Sequence, residues 1–205
     1  MNLVGIDLEG VLVPEIWVAL AKKTGEKKLE LTTKDIGDYK ELMEHRIDVL
    51  KAKGIKAKEL FDIAKDILPY KGAVEFLNEV RKYYQVIVLS DTFFNLSKNI
   101  FKKLNYPTVF CHTLKISNAG MVTGMNRCIK DHKKLTIKAM NDMNFNTLAI
   151  GDSYNDLSML KEAKKGILFR STEEIINNNP SYITCETYED LLKKIHDFFK
   201  GINYE

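Results

Sequence analysis

Two acids stand two residues apart near the start of the chain, in Leu3-Val4-Gly5-Ile6-Asp7-Leu8-Glu9-Gly10-Val11-Leu12. The apolar run before Asp7 reads as a buried strand that delivers this carboxylate to its C-terminal end, where ligands bind in open α/β sheets. Acids so spaced suit a nucleophile with a proton donor, or two oxygen ligands for a metal. Two later apolar runs also close on polar residues: Val86-Ile87-Val88-Leu89 on Ser90, and Thr147-Leu148-Ala149-Ile150 on Gly151-Asp152. In a parallel sheet Asp7, Ser90 and Asp152 fall on one edge. Any one of them alone is an ordinary start of a loop. Together, Asp7 and Asp152, with Asp156 in the next helix's first turn, offer hard oxygen ligands for Mg²⁺, and Ser90 offers a hydroxyl to a phosphate oxygen.

Such a site needs positive charge. Two like unit charges 4 Å apart repel by about 4 kcal/mol at an effective dielectric of about 20, so a phosphate dianion approaching Asp7 beside Asp152 is excluded unless cations compensate. Mg²⁺ supplies part of this and Lys133 is the candidate for the rest. It lies at the start of a helix over 131–143, where the dipole disfavours a cation, and it shares the core-facing stripe of Thr136, Ile137 and Met140. Lys134 falls instead on a solvent face with Lys138 and Asn141.

These residues must be held by strands that alternate with helices. Pro14-Glu15 suits a helix start, with proline at the first helical position, and the stripe from Ile16 to Thr24 stops at Gly25. Helices are expected over 38–53, ended by Gly54, and 56–68, ended by Pro69. No strand-like run interrupts this segment. From Gly72 a helix over 73–83, the Ser90 strand, a helix to Leu104, a strand over 108–112 and a hairpin about Asn118-Ala119-Gly120 follow. After the Lys133 helix and the Asp152 strand come a helix opening near Asn155, a strand over 166–169, a helix over 172–177 and a terminal helix after Thr187. The pattern implies an α/β fold: a Rossmann-like three-layer core with a mostly parallel sheet, formed by residues 1–13 and 72–205, and a helical insertion at 14–71.

At 205 residues the chain can bury a full core, and 45% hydrophobic with 29% charged residues is ordinary for a globular protein. A net charge of +3 without a basic stripe argues against nucleic-acid and membrane partners. The three scattered cysteines suit a reducing compartment, and no leader or apolar run of about 18 residues is seen, so a cytoplasmic location is expected. A homo-oligomer is compatible with this composition. His45, His112, His132 and His196 have no metal-ligand spacing and read as structural or exposed. Trp17, Tyr70 and the phenylalanines read as core or as the seam between core and insertion.

Taken in order, Asp7-Leu8-Glu9-Gly10-Val11, Ser90, Lys133 and Gly151-Asp152-Ser153-Tyr154-Asn155-Asp156 resemble the four motifs of the haloacid dehalogenase superfamily of phosphohydrolases. The helical insertion resembles the cap of its phosphoserine phosphatase branch. Residues 7–17 and Leu89-Ser90-Asp91-Thr92-Phe93 resemble the members that also transfer the phosphoryl group to homoserine. The resemblance implies covalent catalysis: Asp7 attacks phosphorus, and Glu9 protonates the leaving oxygen and then deprotonates the acceptor, water or homoserine. It implies Mg²⁺ held by Asp7, Asp152 and the main-chain carbonyl of Glu9, with Asp156 in support. It also implies phosphate held by Ser90, main-chain N–H groups near Asp91, and Lys133. Most of the superfamily's phosphatases carry Asp where Glu9 stands. The longer arm is expected to favour an alcohol acceptor, and its carboxyl must be raised from about 4.3 to act as an acid near neutral pH.

Substrate choice is read from the insertion. Arg46 lies within the apolar face of Tyr39, Leu42, Met43, Ile47 and Leu50, so its guanidinium must snorkel, pair internally or clamp a substrate carboxylate. Glu15 is a first-turn acid that can also face an ammonium group. Asn155 can touch phosphate or substrate, or serve as a helix cap. Arginine and acid beside a phosphate site suit a phosphorylated amino acid, and the resemblance implies phosphoserine. The competing readings are a phosphatase for another small phosphomonoester and a phospho-acceptor signalling domain. The Asp-x-Glu pair and the insertion count against the latter.

Overall fold

The computed structural model describes residues 1–32 and 35–201. Residues 33 and 34 of the expected insertion and 202–205 of the expected core lie outside the described residues.

Among the described residues seven strands form one sheet in the order β4-β3-β2-β1-β5-β6-β7. They are β1 (Asn2–Asp7), β2 (Gln85–Phe93), β3 (Val109–Ile116), β4 (Val122–Asn126), β5 (Asn146–Gly151), β6 (Lys165–Phe169) and β7 (Ile183–Cys185). All neighbours are parallel except the β3–β4 hairpin. The apolar run of β1 puts it at the centre, buried on both faces. Alternation then sorts side chains by face. Val4, Ile6, Val88, Leu148 and Ile150 join one apolar cluster with helices α4 (Ala73–Tyr83) and α9 (Tyr188–Lys200). Leu3, Ile87, Leu89 and Ala149 join another with α6 (His132–Asp142), α7 (Leu157–Glu162) and α8 (Glu173–Asn178). The result is three layers. Gly5 lets α6 approach closely, since a Cβ there would lie 2.8 Å from Ile137 Cδ1.

Between β1 and α4 the described chain is helical, with α1 (Ile16–Thr24), a short 3₁₀ turn, α2 (Tyr39–Lys53) and α3 (Ala57–Ala64). Gly25 and Gly54 end α1 and α2 in left-handed conformations, and the Asp38 side chain caps α2 by accepting from the Lys40 and Glu41 amides. Apolar residues of α1, α2 and α3 are continuous with the larger cluster, and α3 packs against α5 (Phe94–Lys103).

Four expectations are corrected. The first helix begins at Ile16, so Pro14 precedes it instead of opening it. The third helix stops at Ala64 and continues as turns, short of Leu68. The Ser90 strand runs on to Phe93, with a register irregularity between Leu89 and Phe93. The three-residue β7 was not expected.

Candidate active site

Parallel register brings the three strand-end groups together. Asp7 pairs with Leu89, one residue before Ser90, and Ile6 pairs with Ile150, two before Asp152. Lys133, 3% exposed on the first turn of α6, bridges them: its Nζ donates to Asp7 Oδ1 and Asp156 Oδ1, both at 2.8 Å. Burial alone would lower the lysine pKa, but Asp156, Asp7 and Asp91 outweigh it and hold the group charged, well above its ordinary value. Asp156 is fully engaged. Its other oxygen accepts from the Asp152 and Ser153 amides at 3.1 and 3.2 Å, and Gly151 leaves the room, because a Cβ there would lie 2.3 Å from Asp156 Cβ.

The carboxylates exceed the cations available to them. Oxygens of Asp7, Asp152 and Asp156 lie within 4.8 Å of one another. Burial first, then the Asp156 charge, pushes the Asp7 carboxyl well above its usual range against the pull of Lys133. The same two causes push Asp152 up to about 7. Among the described residues the buried Asp152 Oδ1 has no hydrogen-bond partner. Gly10, at φ +80°, passes so close that a Cβ would lie 2.3 Å from the Asp152 carboxylate. A divalent cation with oxygen preference fits this donor set: it would occupy the orphaned oxygen and relieve the mutual repulsion. Ser90 is buried, and its Oγ accepts from the Thr92 amide at 3.1 Å.

Glu9 turns toward the insertion. Its Oε2 accepts from the Ile16 amide at 2.8 Å, serving the N-terminus of α1, whose own cap residue Glu15 makes no side-chain cap bond. Burial and then the Glu15 charge raise the Glu9 carboxyl to about 8, opposed by the Ile16 N–H and Arg46. Arg46 is 6% exposed and stacks 4.5 Å over Trp17, with Nη2 donating to the Leu31 carbonyl at 2.7 Å. Burial lowers its pKa to about 10. Among the described residues its buried Nε has no hydrogen-bond partner.

Residues 1–164 match the haloacid dehalogenase-like hydrolase family. The chain belongs to that family. It is 42% identical over 194 residues to the phosphoserine phosphatase ThrH of Pseudomonas aeruginosa, covering 95% of each chain. It is 40% identical to a phosphoserine phosphatase of Pseudomonas syringae pv. tomato, covering 98% of this chain and 83% of that one. A solved structure of a phospho-aspartyl intermediate analogue of phosphoserine phosphatase superposes with a TM-score of 0.79 at 23% identity, covering 94% of this chain and 98% of that chain. The fold is therefore the haloacid dehalogenase-like one.

Within this hydrolase, Asp7, Ser90, Asp91, Lys133, Asp152, Asn155 and Asp156 gather at one sheet edge, with Glu9, Glu15 and Arg46 on the insertion side. Asn155 is not a helix cap: Ser153 caps the 3₁₀ turn Tyr154–Asp156, while Asn155 Nδ2 reaches Asp91 Oδ2 at 3.4 Å. Glu15 is the cap residue of α1 instead of a first-turn acid. Two of the four histidines are buried around one carboxylate. His112 and His132, 1% and 6% exposed, both face the Asp91 carboxylate. One signal was available, because His112 closes an expected strand as Asp7, Ser90 and Asp152 do. Tyr39 belongs to the apolar face of α2, yet its hydroxyl donates to the Asp91 carbonyl at 2.6 Å.

Proposed function

We propose that this hydrolase is a Mg²⁺-dependent phosphoserine phosphatase that forms L-serine and can also pass the phosphoryl group to homoserine. The observation that carries it is the buried Asp7 carboxylate, held at 2.8 Å by Lys133 on the ligand-binding edge of a parallel sheet, beside the orphaned oxygen of Asp152. The names of the two Pseudomonas relatives support the substrate.

In this mechanism Asp7 attacks phosphorus and becomes an aspartyl-phosphate while the serine oxygen leaves with a proton from Glu9. Glu9, now ionised, takes the proton of the incoming water or alcohol, whose oxygen displaces Asp7 from phosphorus. A carboxyl raised to about 8 is protonated at neutral pH, as the first step requires. Asp7, Asp152 and the Glu9 main-chain carbonyl would hold Mg²⁺, which when bound supplies positive charge opposite the phosphate oxygens. Ser90, main-chain N–H groups near Asp91, and Lys133 receive those oxygens and stabilise the charge that develops on them. The helices of residues 14–71 act as a cap on a core of 1–13 and 72–205. From that cap the unpaired Nε of Arg46 serves the substrate carboxylate and Glu15 its ammonium, with Asn155 at the rim of the site.

The test is phosphate release from L-phosphoserine with Mg²⁺, with and without L-homoserine. Turnover, with phosphohomoserine appearing when homoserine is present, is expected. Absence of turnover overturns the phosphatase reading, and turnover without phosphohomoserine overturns the transferase part. For Arg46→Ala, loss of phosphoserine turnover with p-nitrophenyl phosphate hydrolysis retained is expected; equal loss of both removes the clamp.

A further inference from the structure

Asp91 enters the mechanism above only through main-chain N–H groups near it, yet its carboxylate is surrounded by donors from three parts of the fold. Oδ1 lies 3.2 Å from His112 Nε2 on β3 and 3.3 Å from His132 Nε2 at the start of α6. Oδ2 faces Lys133 Nζ at 3.9 Å and Asn155 Nδ2 at 3.4 Å. The two imidazoles meet edge to face with centroids 5.0 Å apart. The irregularity of β2 between Leu89 and Phe93 places this carboxylate there, with Phe93 and His112 in register beyond it.

The protonation of His112 follows from its second nitrogen. Nδ1 accepts the Cys128 amide at 3.2 Å, and an amide can only donate, so the ring proton sits on Nε2 and points at Asp91. This also decides against a metal at Asp91, His112 and His132, whose ligand atoms lie within 4.8 Å of one another: a protonated Nε2 has no lone pair to give. Burial works to raise the Asp91 pKa, but the bond from His112, the His132 ring 3.3 Å away and the charge of Lys133 prevail and hold it well below the usual carboxylate range.

Lys133 spends two hydrogen bonds on Asp7 and Asp156, and its approach to Asp91 is too long for a third. The ammonium therefore keeps one donor direction for an incoming oxygen, and Asp91 is the charge beside it. We propose that His112 and His132 are positioning residues for phosphoryl transfer: the His112 bond and the His132 ring packed beside it hold Asp91 Oδ1, and so place the carboxylate whose other oxygen accepts from Asn155 and sets its charge 3.9 Å from Lys133 beside a bound phosphate. This rests on the reading that Asp7, Ser90 and Lys133 receive a phosphate.

The test compares His132→Leu, His132→Gln, Asp91→Asn and the double variant His132→Leu/Asp91→Asn. Binding of inorganic phosphate is measured by calorimetry with Mg²⁺, and kcat and KM with phosphoserine and p-nitrophenyl phosphate. A glutamine amide can present an N–H toward Asp91 Oδ1 from the place of the His132 ring. His132→Leu is expected to weaken phosphate binding and raise both KM values by about tenfold, as loss of an orienting partner does. His132→Gln should recover most of this, and the double variant should be no worse than Asp91→Asn, because His132 acts through Asp91. Wild-type behaviour of His132→Leu, a Gln variant as impaired as the Leu variant, or a double variant showing the product of the single effects overturns the proposal. If wild type binds phosphate without hydrolysing phosphoserine, the substrate reading fails and the phosphate-binding cycle still decides this one. If wild type binds no phosphate, both fail.

Discussion

In the proposed mechanism Glu9 does two things at once: it donates a proton at the reacting centre and accepts the Ile16 amide at the mouth of α1. Its raised pKa follows from burial and from Glu15, and predicts a pH profile. The value kcat/KM reports the free enzyme up to the first irreversible step, which needs Glu9 protonated, so it should fall above about pH 8. Glu9→Gln should remove that limb and lower kcat/KM for phosphoserine by about 10²–10⁴-fold. p-Nitrophenyl phosphate should lose far less, since its leaving group needs little protonation. A descending limb that persists in Glu9→Gln assigns the proton elsewhere. Glu9→Asp withdraws the carboxylate from Ile16 and should shift phosphoryl partition from homoserine toward water; an unchanged ratio removes the idea that the longer arm selects the acceptor. At this scale Asp7, Ser90, Lys133 and Asp152 are legible in the sequence, because each closes a strand or sits on a helical face whose period can be counted. His112, His132 and the Tyr39 hydroxyl are not. Their partner Asp91 is 21, 41 and 52 positions away, and reaching it depends on an irregular strand register that no local pattern announces.

Helix α2 carries the next prediction, because its first residue is tied to the core. Tyr39 donates to the Asp91 carbonyl, and Arg46 lies seven residues on, two turns along the same face. Removing the hydroxyl leaves that carbonyl without its phenol and loosens the first turn of the helix against the core. Tyr39→Phe is expected to cost about 1 kcal/mol, read from a urea midpoint. It should also raise KM for phosphoserine more than for p-nitrophenyl phosphate, which has no carboxylate for Arg46 to meet. Equal KM values in wild type and variant for both substrates would remove the link between the tie and the clamp. The bounds of α2 itself are legible, since Asp38 and Gly54 mark its ends with definite cap chemistry. The end of α3 is not: Pro69 sets only a latest stop, and the chain leaves the helix at Ala64. Strand β7, three residues at the sheet edge, is too short to show a period.

For the molecule as a whole, parallel topology has an electrostatic cost. It collects Asp7, Asp152 and Asp156 at one edge against a single buried lysine. In the metal-free protein burial and neighbouring acids push the Asp152 carboxyl up to about 7 and the Glu9 carboxyl up to about 8, both above the ordinary carboxylate range. A raised carboxyl favours the folded state while protonated and opposes it once ionised. Metal-free stability should therefore fall as pH rises from about 4 through about 8. Mg²⁺ held as proposed would bind only the folded arrangement of these oxygens and should reverse the loss. At a hundred times its Kd a ligand adds about 2.7 kcal/mol, which for a chain of this size is a rise in Tm of about 5–10 °C. Asp152→Asn separates the two effects. It removes the carboxylate whose buried oxygen has no partner, so metal-free Tm near pH 8 should equal or exceed that of wild type, while the rise with Mg²⁺ should largely vanish. Thermal scans of both proteins with EDTA and with Mg²⁺ decide the matter. A variant that is less stable without metal, or that keeps the full Mg²⁺ shift, would mean that Asp152 supports the fold through other contacts and that the cation binds elsewhere.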